Sequence, residues 1–342
     1  MIVLDTNALV GRGYGPSPSS TLLRALAAET GHPLAIPQEV LDEYLAKYER
    51  EVAPLIDAGS AEKLLASVPH WRDRGAVARG DAGASLPSLA PAIKERRESL
   101  TKRPSTRFAV LETPPGAADE GIRREKSRRP PATAGGHEAR DVVVWLTVVA
   151  AAAAARPSNI YFVSSDRGFT GDDRRHLHPD LLREAPSNLK FLPSVEALIE
   201  RLSCGAEPID DIGASREVLT AIEQTALHGG SDPNHDLRRD LWDWTPDGLN
   251  PSDLVSAGPS LVSERAVISR SVGDTTLTAI DAIYRLDLRY RAEGSEPVAV
   301  SVRLGVLIVH DGGDVASVRV LARSGIRPHG PDEHVEESDG TE

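Results

Sequence analysis

The sequence predicts an α/β fold with a parallel sheet covered on both faces, followed by a small α+β region built on an antiparallel sheet. Short apolar runs alternate with helical patterns as far as Leu202, which is the signature of successive βαβ units. Two of those runs end in an aspartate. Beyond Val262 the pattern changes to alternation of apolar and polar residues, as expected of antiparallel strands with one buried face. At 342 residues the chain is long enough for two cores. Its composition, 40% hydrophobic and 26% charged with a mean hydropathy of -0.27, is that of a soluble protein.

The first strand is Ile2, Val3 and Leu4, apolar throughout and too short for a helix, and it stops at Asp5-Thr6-Asn7. Asp5 therefore stands at the carboxyl end of a buried strand, the edge at which open α/β sheets bind ligands. Asn7, two residues on, points the same way while the chain stays extended. Taken alone, Asp5 reads more readily as a cap of the helix or turn that follows, and only the acids further along the chain favour the other reading. Arg12 to Ser20 is rich in Gly, Pro and Ser and reads as a loop. Thr21 to Thr30 carries Leu22, Leu23, Leu26 and Ala27 at helical spacing and is ended by Gly31. Pro33 to Ile36 is a second strand, and Pro37 opens a helix with the stripe Val40, Leu41, Tyr44, Leu45 and Tyr48. Glu43 falls at the margin of that stripe, where a carboxylate reaches a crevice while its helix stays packed; Glu39 and Asp42 compete for the same role.

Between Gly59 and Gly136 the periodicity weakens, with helical pieces at Ala61 to Val68 and Leu89 to Leu100. Charge carries the information there. From Lys94 to Arg129 eleven basic residues face six acidic ones, in a chain whose formal net charge is -12. Lys94 to Glu98 reads as a solvated helix surface with i,i+4 pairs. The cluster Arg123, Arg124, Lys126, Arg128 and Arg129 holds five cations against one acid and is the candidate phosphate-binding segment.

Glu138 to Ala155 is the clearest helix, with Asp141 near its start and Glu138 on the same face. An Asp in that first turn also serves as a macrodipole partner. Asn159 to Val163 is a strand that closes in Ser164-Ser165-Asp166-Arg167, so a second buried strand ends in an Asp. Leu189 to Leu192 and Val195 to Leu202 follow as strand and helix. These elements define a first domain over residues 1–203, with a linker at 204–213, an α+β domain at 214–328 and an acidic tail at 329–342 expected to be disordered. In the second domain Ala214 to Leu227 is helical and His228 to Gly258 is loop-rich, with Trp242 and Trp244 as anchors. About four strands follow, with hairpin turns at Gly273-Asp274 and Gly312-Gly313. The group His228, Asp232, His235 and Asp236 reads as a surface loop rather than a metal site. All candidate chemistry precedes Leu202, so the second domain is expected to fold separately, and a chain ended near Cys204 to keep its fold.

Asp5, Glu43, Asp141 and Asp166 come from four separate elements. If they converge, each pair of carboxylates about 4 Å apart repels by roughly 4 kcal/mol at an effective dielectric near 20. Hard divalent cations with oxygen ligands remove that repulsion, and they support in-line phosphoryl displacement by water. The sequence has no HExxH, P-loop or GxSxG motif, which leaves zinc peptidases, NTPases and serine hydrolases without support. Cys204 is the only cysteine, so no intrachain disulfide forms, as suits a reducing cytoplasm. Neither a signal peptide nor a membrane span is expected.

In this order and at about these separations, MIVLDTNALV, IPQEVLDEYL, HEARDVVVWL and FVSSDRGF resemble the PIN-domain ribonucleases, a family that includes the toxins of toxin–antitoxin pairs. The resemblance covers roughly residues 1–202. It implies a Rossmann-like αβα sandwich and an acidic site, dependent on Mg²⁺ or Mn²⁺, that hydrolyses RNA. By motif match Asp5 is the central metal ligand, Glu43 the second acid, Asp141 the third and Asp166 the fourth, with Ser164 or Ser165 supplying a hydroxyl and Asn7 the small polar position. It also implies an RNA substrate and a cognate antitoxin or regulatory protein as partners. The chain departs from compact toxin nucleases in its long 59–136 stretch and in the more than one hundred residues after Leu202. Two other readings stand beside this one. A haloacid-dehalogenase-like phosphatase also opens on a strand-end Asp, but requires an acid where Asn7 stands. A non-catalytic PIN-like binding module would have no need of the four acids.

Overall fold

A computed structural model of the chain describes residues 1–10, 17–57, 88–102, 108–132, 138–171, 173–207, 211–229, 237–245, 249–291, 297–322 and 326–328. The helix expected at Ala61 to Val68, the group Asp232, His235 and Asp236, and the acidic tail lie outside these residues.

The opening apolar run is strand β1 (Ile2–Leu4), fully buried as its composition requires. It is followed at once by a short helix, α1 (Thr6–Val10), then α2 (Pro18–Glu29), β2 (Leu34–Pro37) and α3 (Gln38–Asp57). Helix α2 starts at a reciprocal capping box between Ser17 and Ser20 with Pro18 at its first position. Next come α4 (Leu89–Thr101), β3 (Ala109–Leu111), α5 (Ala117–Ser127), α6 (Ala139–Ala154), β4 (Ile160–Val163), α7 (Pro179–Glu184), β5 (Leu189–Leu192) and α8 (Val195–Leu202). The five strands form one parallel sheet in the order β3-β2-β1-β4-β5. Ile2 pairs with both Leu34 and Tyr161, which fixes β1 at its centre. Strand order reverses between β1 and β4, so the crevice of this sheet opens at their carboxyl ends, where Asp5 and Asp166 follow.

The second sheet is antiparallel, in the order β10-β9-β8-β7-β6, with β11 also paired to β9. Its strands are β6 (Cys204–Gly205), β7 (Leu254–Val272), β8 (Thr275–Tyr290), β9 (Val298–Asp311), β10 (Asp314–Ala322) and β11 (Arg327–Pro328). The stretch expected to begin a linker at Cys204 therefore begins as an edge strand paired to Arg270 and Ser271. Between β6 and β7 lie α9 (Arg216–His228) and α10 (Leu237–Trp244), so part of the expected loop is helical. Trp242 is not an anchor: it is 46% exposed, with Arg238 over its ring, while Leu237 and Leu241 are buried against the sheet.

The two faces of this sheet have different cover. Ile280, Ala282, Tyr284, Leu286 and Leu288 pack with Val218, Ile222 and Ala226 of α9 and Leu237 and Leu241 of α10. On the opposite parity, Leu277 and Ala279 belong to the core that holds Ile2, Leu22, Leu26 and Trp145. Helix α2 contacts β7, β8 and β9 directly. The second sheet is thus covered on one face by its own helices and on the other by a helix of the first half. The two sheets share one helix. Among the described residues no helix is long and apolar enough to cross a membrane.

Candidate active site

The chain leaves β1 and β4 side by side, with the Asp5 amide donating to the Val163 carbonyl (3.0 Å). Asp5 is 8% exposed, and both its oxygens are engaged: Oδ1 accepts the Thr6 amide (2.7 Å) and Oδ2 the Ser164 hydroxyl (2.6 Å). Ser164, fully buried, also accepts the Asp166 amide (3.1 Å), and Asp166 Oδ1 accepts the Gly168 amide (2.7 Å). Asn7 accepts the Ser165 amide (3.2 Å), so the small polar position ties the two strand ends together. Glu43 comes from α3. Its Oε2 accepts the Thr6 hydroxyl, and its Oε1 lies 3.0 Å from Lys47 Nζ and 3.3 Å from Arg140 Nη1. Arg140 reaches on to Asp141 Oδ1 (3.5 Å) in the first turn of α6.

Asp5 and Asp141 each lie within electrostatic reach of the other acids of this group. Burial pushes the Asp5 carboxyl up, the Ser164 and Thr6 bonds oppose this, and the charges of Asp166 and Glu43 add to the rise. Burial and the Asp166 charge push Asp141 up to about 7, with Asp5 and Glu43 adding to the effect and Arg140 opposing it. Burial also works against charge on Glu43, but Thr6, Lys47 and Arg140 together hold its carboxyl below the ordinary range. Among the described residues, no three His, Cys, Asp or Glu side chains form a ready-made metal group. The donor set nevertheless fits a hard divalent cation: it is all oxygen and anionic, and the carboxyls of Asp5 and Asp141 are pushed up by burial and by neighbouring acids, a repulsion that such an ion removes.

Residues 2–169 match the family model described as PIN domain. The N-terminal half of this chain is a PIN domain. PIN domains are in general metal-dependent nucleases that act on RNA. The match runs from β1 past Asp166, so every acid named above falls inside it. No curated protein and no solved structure matches the chain.

Within the PIN domain the three acids competing for the second position are separated by their surroundings. Glu43 is coupled to Asp5 and Asp141. Asp42 turns outward, to Gln38 (2.8 Å) and Arg97 (3.0 Å). Glu39 accepts the Thr113 hydroxyl and leaves Oε2 buried without a hydrogen-bond partner. Glu138 occupies the N-cap of α6, where its carbonyl accepts the Asp141 (3.0 Å) and Val142 (3.3 Å) amides. Thr6, Lys47 and Arg140 also belong to the site, although nothing in the sequence marks them beyond spacing. Thr6 follows the first acid, Lys47 lies four residues after Glu43, and Arg140 precedes Asp141.

Two close backbone approaches bring the basic segment against the acid-bearing elements. A Cβ on Gly121 of α5 would lie 2.7 Å from the Ala139 carbonyl at the start of α6. One on Gly168, in the loop after Asp166, would lie 2.6 Å from the Pro131 carbonyl. The Glu138 amide also donates to Glu125 (2.8 Å), which closes the end of α5 onto the start of α6. Arg123, Lys126, Arg128 and Arg129 are exposed there. Arg124 corrects the sequence reading, since it is buried and committed to Glu120 (2.9 Å), Glu184 (2.9 Å) and the Pro130 carbonyl (3.2 Å). It joins α5 to α7 and does not face solvent.

Proposed function

We propose that this chain is an endoribonuclease dependent on a divalent metal, Mg²⁺ or Mn²⁺, that hydrolyses RNA phosphodiester bonds at Asp5, Glu43, Asp141 and Asp166. The observation that supports this reading is geometric: in a PIN domain, Thr6 ties Asp5 to Glu43, Ser164 ties Asp5 to Asp166, and Arg140 spans Glu43 and Asp141. A divalent ion held there supplies Lewis-acid stabilisation of the phosphoryl oxygens and a water acidic enough to attack at neutral pH. The protein's own groups do the positioning. Thr6 and Ser164 fix the two oxygens of Asp5, and Asn7 keeps β1 and β4 in register at their carboxyl ends. Glu43 is oriented by Thr6 and Lys47 toward the edge shared with Asp141. Asp141, whose carboxyl is raised by burial and by Asp166, would be held ionised as a ligand of that ion. Arg123, Lys126, Arg128 and Arg129 are assigned to the substrate backbone. The phosphatase reading is set aside because Asn7, an amide engaged with the Ser165 amide, stands where that chemistry needs an acid.

The test is cleavage of single-stranded RNA and DNA by purified protein with Mg²⁺, Mn²⁺ or EDTA. RNA hydrolysis with either metal and none in EDTA is expected. Asp5→Asn should lower the rate at least about 100-fold with an unchanged circular dichroism spectrum, because it keeps shape and removes charge. Undiminished cleavage by that variant would defeat the site assignment, and cleavage of DNA alone would defeat the substrate assignment.

A further inference from the structure

Arg140 stands on the same first turn of α6 as Asp141, and its guanidinium lies across two of the site's carboxylates, Nη1 at 3.3 Å from Glu43 Oε1 and Nη2 at 3.5 Å from Asp141 Oδ1. Both separations exceed the roughly 2.7–2.9 Å typical of charge-assisted hydrogen bonds, so the fork grips neither carboxylate. Its side chain is 46% exposed. Arg124 in the same domain shows what a structural arginine looks like here: 7% exposed, with two carboxylates at 2.9 Å.

Charge at the site adds to the contrast. Lys47 pairs with Glu43 alone, whereas Arg140 is shared between Glu43 and Asp141. Lys47 and Thr6 remain on Glu43 if Arg140 leaves, so Glu43 does not depend on Arg140 alone. Asp141 has Arg140 as the neighbour that opposes its repulsion from the other acids. A metal ion reaching Asp141 and Glu43 therefore meets Arg140 on the same oxygens. A guanidinium displaced from a carboxylate edge, half in solvent, is suited to a phosphodiester, whose two oxygens match its fork.

We infer that Arg140 is a substrate-positioning residue that competes with the divalent metal for Glu43 and Asp141 and passes to the RNA phosphate when the metal takes them. This rests on the metal-dependent nuclease reading above. It assigns Arg140 two opposed effects, weaker metal binding and tighter RNA binding, whereas a merely structural role would move both the same way.

The experiment compares wild type, Arg140→Gln and Arg140→Lys in the full-length chain. Mn²⁺ affinity is measured by calorimetry without RNA. Affinity for a labelled single-stranded RNA is measured by fluorescence anisotropy in Ca²⁺ over a range of salt, with the RNA checked for integrity afterwards. Arg140→Gln is expected to bind Mn²⁺ about three- to tenfold more tightly, as loss of one partly exposed ion-pair competitor allows. It is expected to bind RNA more weakly, with a slope of log K against log salt reduced by about 0.7, the value for one single-strand phosphate. Arg140→Lys should restore the competition and the salt slope, since it keeps the charge. Unchanged or weaker Mn²⁺ binding by Arg140→Gln would overturn the competition. An unchanged RNA salt slope would overturn the transfer to phosphate. A wild-type chain that binds no Mn²⁺ would overturn the nuclease reading itself, and this inference with it.

Discussion

At the scale of single residues, the site is a problem in burying like charges. The Asp141 carboxyl stands near 7 against an ordinary 3.8, chiefly because it is buried and then because Asp166 is near. A carboxyl raised on folding is one whose native state binds protons more tightly than the unfolded chain does. Its contribution to stability is therefore neutral below about pH 4, grows unfavourable as pH rises toward 7, and is fully unfavourable above that. With an exposure of 18%, little solvent screening intervenes, and the span corresponds to at most roughly 4 kcal/mol. We expect Asp141→Asn to raise the melting temperature in EDTA by several degrees at pH 8, and by much less at pH 5. Thermal melts at the two pH values check this, and an equal gain at both would mean that ionisation is not what destabilises the position. The acids themselves were legible in the sequence because each closes a buried strand or flanks an apolar stripe. Thr6, Lys47 and Arg140 were not, since a hydroxyl or a cation beside an acid is ordinary on any surface and gains meaning only once α3 and α6 meet β1.

At the scale of elements, legibility followed burial. β1, β2, β4, α3 and α6 could be read because each shows a continuous apolar run or a helical stripe. β3 could not, being a three-residue edge strand that is only half-buried, and neither could α5, a strongly charged helix whose one large apolar residue, Ile122, is 47% exposed. What holds α5 is the close approach at Gly121 and the Arg124–Glu184 bridge, neither of which leaves a periodic trace. The same packing splits the basic cluster into two kinds of residue. Replacing Arg123, Lys126, Arg128 and Arg129 together by Gln should leave the melting temperature nearly unchanged while weakening RNA binding, with the salt slope falling by up to about 0.7 for each phosphate that no longer meets a cation. Arg124→Gln should instead destabilise by about 3 kcal/mol, because it leaves Glu184 and Glu120 without their buried partner. Salt-dependent anisotropy and denaturant unfolding separate the two. A fourfold variant that binds more weakly with no change in slope would show these cations acting through structure.

At the scale of the whole molecule, the deciding element is α2. The alternation in β8 and β9 shows which residues share a face of the second sheet, but nothing in it says what covers each face. α9 and α10 cover one face; the other delivers Leu277 and Ala279 into the core of the PIN domain, with Ile268, Val272 and Val309 packed around them. Leu22, Leu23 and Leu26 of α2 lie in that same core, so α2 has apolar cover from both sheets. The polar stretch after Leu202 suggested that a chain ended near Cys204 would keep its fold; the shared packing on α2 argues for the opposite outcome. Removing β7, β8 and β9 would return to water an apolar face of α2 and its neighbours, at about 1.5–3 kcal/mol for each large side chain fully uncovered. Against a total stability of about 5–15 kcal/mol, two or three such side chains decide whether the domain folds. A chain ended after Gly205 should therefore be insoluble or melt well below the full-length protein. Because truncation can fail for trivial reasons, Leu277→Ala in the intact chain is the sharper probe, expected to destabilise by about 2–5 kcal/mol. If the core is shared, hydrogen exchange in this variant should quicken in α2 and β1 as well as in β8. Exchange quickened only within β7–β10 would mean that the two sheets unfold independently, and α2 would then be a docking surface between two domains and no longer part of one core.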